Sequence, residues 1–150
     1  MAVVLTGGAD HISIPDSQSI RSPSDEITAA VWYYRTGPTP DSWAGLLYKI
    51  HGDGQNGSWS VQRRTNQSNW YAAIDDTETG SIGWPGAGQW LFIVLRWESG
   101  DVARLEIYNA SGDLVDDAIS DTHTGTIPYT DQPFLIGRSD VETSHAGWYA

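Results

Sequence analysis

The segment from Trp59 to Tyr71 holds the densest set of side chains able to do chemistry. Trp59, Trp70 and Tyr71 offer aromatic faces that can stack on the apolar C–H surface of a sugar ring. Gln62, Arg64, Asn66 and Asn69 add amide and guanidinium groups able to hydrogen-bond its hydroxyls. Trp, Tyr and Arg also anchor protein interfaces, so the segment reads equally as a glycan-contacting or a protein-contacting face. A plain strand preference explains the aromatic residues as well.

Other chemistries find little support. A retaining glycosidase needs two carboxyl groups ~5 Å apart, one as acid and one as nucleophile. The adjacent pairs Asp75-Asp76 and Asp116-Asp117 would point to opposite faces of a strand, so they read as solvated strand ends or turns. His11, His51, His123 and His145 are scattered without zinc-ligand spacing. No Gly-x-Ser-x-Gly elbow occurs. The glycine-rich "GDGQNG" lacks the Lys-Ser/Thr of a phosphate loop and reads as a hairpin turn. The sequons at Asn56, Asn66 and Asn109 have no secretory leader beside them in this sequence.

A length of 150 residues suits one domain spanning 1–150, large enough to fold without a staple. Cysteine is absent, which excludes a disulfide scaffold. Eight Lys and Arg against nineteen Asp and Glu leave a formal charge of −11, which repels nucleic-acid phosphates. No stretch approaches the ~20 apolar residues of a membrane helix, so membrane insertion is not expected. Eight Trp and seven Tyr against two Phe favour aromatic residues with a polar handle, suited to surfaces as well as cores.

No segment sustains a 3.6-residue apolar period. Short apolar runs separated by Gly, Pro, Asn and Asp predict an all-β sandwich or barrel. In "EITAAVWYYR", Ile27, Ala29, Val31 and Tyr33 alternate with Thr28, Ala30, Trp32 and Tyr34. In "ARLEIY", Ala103, Leu105 and Ile107 oppose Arg104, Glu106 and Tyr108, the pattern of a half-buried strand. "AGLLYKI" and "SWSVQRR" predict a hairpin, and "NWYAAI" the next strand. "WLFIVLRW", apolar on both faces, predicts a central strand, and "PFLIG" a late one.

The order of these motifs is informative. "ADHISIPDSQSI", "EITAAVWYYR", "WAGLLYKI", "GQWLFIVLRWESGDVARLEIYNASGDLV" and "PFLIGRSD", taken together, resemble the laminin-G-like, concanavalin A-like jelly roll over nearly the whole chain. The resemblance implies a two-sheet antiparallel sandwich, with Trp32 and Trp90 matching the core aromatics of the family. It also implies a last long strand beside the first. "HAGWYA" stands where that strand would begin, so the expectation is a domain lacking its final strand, either because residues 1–150 are the N-terminal part of a longer chain or because another chain supplies it, with an open edge beside "VVLTG" or "HISI" that a neighbouring chain could pair. Many such domains bind calcium at the sandwich rim, and Asp10, Asp16 and Asp53 are the carboxylates in reach of that role, with side-chain turn bonds as the alternative. No cofactor is required. The glycosidases among similar proteins carry a Glu-x-Asp-x-x-Glu strand motif that is absent here.

The expected function is a non-catalytic recognition module for a glycan or surface polymer, with Trp59, Gln62, Arg64, Asn69, Trp70 and Tyr71 as ligand-binding residues. It would act outside the cell or on a phage virion. The alternative is a structural decoration or cementing protein whose partners are neighbouring chains; a glycoside hydrolase ranks last.

Overall fold

In a computed structural model, residues 5, 11–18, 20, 25–36, 45–49, 58–63, 69–83, 86–128 and 130–137 are described. Among them are eleven strands and no helix. The strands are β1 (Ile12–Ile14), β2 (Glu26–Tyr34), β3 (Gly45–Lys49), β4 (Trp59–Arg63), β5 (Asn69–Ile74), β6 (Thr77–Glu78), β7 (Ile82–Gly83), β8 (Trp90–Glu98), β9 (Asp101–Asn109), β10 (Leu114–His123) and β11 (Phe134–Ile136). They form two antiparallel sheets, the sandwich expected from the short alternating runs. One sheet has the order β1-β11-β3-β4-β5-β6, with β7 also on β5; the other runs β10-β9-β8-β2.

Alternation sets what each strand buries. Leu91, Ile93, Leu95 and Trp97 of β8 and Ala103, Leu105 and Ile107 of β9 face the other sheet, with Trp59, Val61, Trp70, Ala72 and Ile74 among the residues opposite. The β8–β9 connection is a two-residue turn, Ser99-Gly100, and Gly100 takes φ +88°, where a Cβ would be strained. Asn109 organises the next turn. Its Oδ1 accepts from the backbone N–H groups of Ser111 and Asp113, so the Asn109 sequon serves as an Asx turn. Asp75 and Asp76 form the β5–β6 turn, as expected of that pair, with Asp75 at φ +51°.

The two flanks of the sandwich differ. At the β6/β10 flank the sheets touch: Thr79 pairs with Ser120 in an isolated antiparallel bridge, and Gly80 N–H donates to the Ile119 carbonyl at 2.9 Å. At the other flank, the inward residues Ala29, Val31 and Tyr33 of β2 and Phe134 and Ile136 of β11 are only partly buried. β3, β4 and β5 are buried on both faces, Ser60, Gln62 and Tyr71 of the outward rows included.

The expected core placement of two tryptophans is overturned. Trp32 and Trp90 are 52% and 45% exposed and do not belong to the core. Their strands are those predicted, but both indoles stand on the outer face of the four-stranded sheet. On β2, Ile27 fills the core with Ala29, Val31 and Tyr33 packed against it, which leaves Trp32 on the face of Thr28 and Ala30. On β8, Leu91 faces inward and its neighbour Trp90 therefore faces out. Residues 145–150, the anticipated start of a further strand, and the "VVLTG" stretch apart from Leu5 lie outside the described residues.

Candidate functional site

Register builds the site on the outer face of the β10-β9-β8-β2 sheet. Tyr34 lies opposite Trp90. The next outward row is Trp32, Phe92, Tyr108 and Leu114 across all four strands. Then come Ala30, Val94, Glu106 and Asp117, and then Thr28, Arg96, Arg104 and Ile119. The face is thus aromatic at one end and charged at the other.

The aromatic end consists of paired rings. Trp32 and Phe92 have centroids 5.0 Å apart and planes inclined by 38°; Tyr34 and Trp90 are 5.2 Å apart at 47°. Contacts of this kind hold the rings in place while leaving Trp32, Tyr34 and Trp90 open to solvent. At the charged end, one Arg96 Nη reaches both oxygens of Glu106, at 2.5 and 2.6 Å. That bidentate hydrogen bond and the negative charge of Glu106 hold the guanidinium above its usual pKa. Partial desolvation, then the charge and hydrogen bonding of Glu106, push the Tyr108 phenol above its usual pKa as well.

Beyond Arg96 and Arg104 the face opens into a hollow of about 770 Å³, within the usual range for a ligand cleft. Trp59, Trp97, Phe134 and Ile27 form its apolar wall, and Thr28 and Glu26 its rim. It lies at the partly buried β2/β11 flank.

The ligand-binding residues expected from sequence are redistributed. Trp59 and Trp70 are 8% and 1% exposed and pack in the core, because alternation places them with Val61 and with Ala72 and Ile74. Trp70 is further enclosed by an edge contact with Tyr33, ring centroids 5.8 Å apart. Neither indole can stack on a sugar, although Trp59 does form part of the hollow's wall. Gln62 and Tyr71 do meet across β4 and β5, but both are buried, and Gln62 Nε2 donates to the Tyr71 hydroxyl at 2.6 Å. Asn69 is half-buried at the start of β5, opposite Gly83. Arg64 lies outside the described residues. The residues that sequence reasoning missed are Trp32, Tyr34, Trp90 and Phe92. Their signal was present: each sits out of phase with the core residues of its own strand.

Of the three anticipated calcium ligands, Asp10 and Asp53 lie outside the described residues. Asp16 accepts a hydrogen bond from Lys49 Nζ at 3.0 Å, so an ammonium already stands against its Oδ1. Among the described residues, no group of three or more His, Asp or Glu side chains could hold a metal ion.

Two carboxylate pairs face across strands among the described residues, Glu26 with Glu98 at the ends of β2 and β8 and a second on β9 and β10, relationships that no in-strand spacing could reveal. Glu106 on β9 opposes Asp117 on β10. Facing Cβ atoms in such a pair stand ~5 Å apart. The Glu106–Asp117 pair lies on an open sheet face, not in a cleft, and both Glu106 oxygens are engaged by Arg96. The Asp116-Asp117 neighbours diverge as expected, Asp116 facing Ile107 and Asp117 facing Glu106.

A family model described as the concanavalin A-like lectin/glucanases superfamily matches residues 6–148. No curated protein matches the chain.

Proposed function

The chain belongs to the concanavalin A-like lectin/glucanase superfamily, and from that premise we propose that it is a non-catalytic module binding a glycan on the outer face of its β10-β9-β8-β2 sheet. The observation that carries this reading is the exposure of Trp32, Tyr34 and Trp90 together on one face, in a chain that buries Trp59, Trp70 and Trp97. Leaving large aromatic surface in water forfeits burial, and a contiguous patch of it marks a binding surface.

The division of labour follows from the rows. The indoles of Trp32 and Trp90 and the ring of Tyr34 take the apolar faces of sugar rings. Tyr108 and the coupled Arg96 and Glu106 supply donors and acceptors for hydroxyls, held in place by their own contacts so that little freedom is lost on binding. The engagement of Glu106 by Arg96 and the openness of the face support binding without hydrolysis. Such a module acts where glycans are displayed, outside the cell or on a virion.

A glycan array with the wild type and the Trp32→Ala and Trp90→Ala variants tests the proposal. Dose-dependent binding by the wild type, lost in both variants while their circular dichroism is unchanged, is the expected result. Binding indifferent to both substitutions would sink the assignment of the face. Release of reducing ends from laminarin, xylan or agarose, abolished by Glu106→Gln or Asp117→Asn, would overturn the non-catalytic part.

A second reading, a protein that decorates or cements a viral or extracellular assembly, draws on a different observation. Leu114, Val115 and Ile119 of β10 are each about half exposed, and Leu114 continues the aromatic row. An apolar strand surface of this kind suits a protein neighbour. Light scattering separates the two: a concentration-dependent oligomer dispersed by Leu114→Ser with Ile119→Ser favours decoration, and a monomer favours glycan binding.

A further inference from the structure

We infer that the ligand is an uncharged, soluble glycan chain several sugars long, lying along β8 from the aromatic end toward Arg96; the inference rests on the glycan-binding reading above. Three observations lead there.

The first is ring inclination. Flat crystalline polysaccharide surfaces call for coplanar aromatic rings in a row. Here neighbouring rings are inclined by 38° and 47°. Each inclined pair stands side by side across β2 and β8, so the four rings cannot all lie against one plane and offer no flat platform. The sheet's own twist works in the same direction.

The second is length. The recognition groups on β8 extend from Trp90 to Arg96. Six residues of strand span roughly 20 Å. That is the reach of a short oligosaccharide and far exceeds a monosaccharide. Stacking groups at one end and hydrogen-bonding groups at the other fit a chain engaged at both.

The third is charge. The outward rows carry four carboxylates, Glu26, Glu98, Glu106 and Asp117, against two guanidinium groups, Arg96 and Arg104. Arg96 is committed to Glu106. Glu26 and Glu98 face each other directly across β2 and β8, which adds negative potential at the Arg96 end. The whole chain carries −11. A uronate-bearing or sulfated chain would meet net repulsion along this path, whereas hydroxyls find both donors and acceptors.

The experiment is titration calorimetry with three soluble probes: a neutral β-glucan, polygalacturonate and a sulfated galactan. Pull-down on crystalline cellulose, a length series of neutral oligosaccharides and the Trp32→Ala and Glu106→Gln variants complete it. The expected result is binding to the neutral chain alone, with affinity rising over the first few sugars and then levelling, and changing less than about twofold between 50 and 500 mM NaCl. Glu106→Gln should weaken the longer oligosaccharides at least fivefold more than the disaccharide. Preference for an acidic chain with steep salt dependence, or for the crystalline surface, lost in Trp32→Ala, would overturn this inference and leave the binding face standing. Binding to none of the four, or binding unaffected by Trp32→Ala, would overturn the face itself.

Discussion

Lys49 Nζ lies 3.0 Å from Asp16 Oδ1, and the lysine side chain is fully enclosed. The same ammonium donates to the Gln132 carbonyl. One buried cation therefore ties three places distant in sequence: the turn after β1, the end of β3 and the loop before β11. Removing one partner of a buried pair leaves the other charged and unsatisfied. Lys49→Ala or Asp16→Ala is therefore expected to cost about 3–5 kcal/mol by urea denaturation. The Lys49→Met, Asp16→Leu double variant should recover much of that loss, which separates an uncompensated charge from a lost packing contact.

The two classes of tryptophan should separate in the same assay. Trp70→Ala empties a fully buried site and should cost about 3–5 kcal/mol. Trp32→Ala and Trp90→Ala remove half-exposed rings, so each should cost about 1 kcal/mol or less. A large loss for Trp32→Ala would return that residue to the core.

Tyr33 packs against Trp70, and burial pushes its phenol far above the ordinary pKa of 10.0, with the Arg35 charge opposing. The folded state therefore keeps the proton after the unfolded chain has begun to release it. Stability is intact below pH 10 and falls as pH rises above it. Denaturation from pH 9 to 11.5 should show this decline, and Tyr33→Phe should flatten it.

Asp75 occupies a turn position at φ +51°, and desolvation followed by the Asp76 charge raises its carboxyl pKa above 3.8, with His123 pulling it back. A raised carboxyl pKa means stability lost as pH climbs through the carboxylate range and retained below it. Asp75→Asn keeps a residue that tolerates this φ and removes the charge. The variant should melt slightly higher than the wild type at pH 7, with the difference vanishing near pH 3.

The strands were legible because alternation is a local signal. The inward set Ala103, Leu105 and Ile107 and the outward set Arg104, Glu106 and Tyr108 stand where the sequence pattern puts them. So does the β3–β4 hairpin, with Leu47 opposite Val61. The face of each tryptophan was legible in the same way. Trp32 shares its side of β2 with Thr28 and Ala30, and Trp59 shares its side of β4 with Val61, so phase alone separates the open indole from the buried one. Residue type pointed the other way, since indoles are expected in cores and polar neighbours at binding faces. The Glu106–Asp117 and Arg96–Glu106 relationships were not legible, because they depend on which strands lie side by side and on a bulge in β10. Nor was the burial of Ser60 and Gln62, which depends on what packs over the outer face of β4.

The pairing of β1 with β11 has a consequence in time. Ile12 meets Ile136 and Ile14 meets Phe134, joining stretches separated by almost all of the intervening chain. That ladder cannot nucleate locally, because closing so long a loop is entropically costly until β3 through β10 have already assembled. The β8–β9 hairpin, closed by two residues, can form within microseconds. Folding should therefore begin at the Ser99-Gly100 turn and end at Ile12 and Ile136, and it should be slow overall, in milliseconds to seconds. During that interval Ile12, Ile14, Phe134 and Ile136 are the last apolar residues to find their partners, which makes β1 and β11 the segments most exposed to misassociation with other nascent chains.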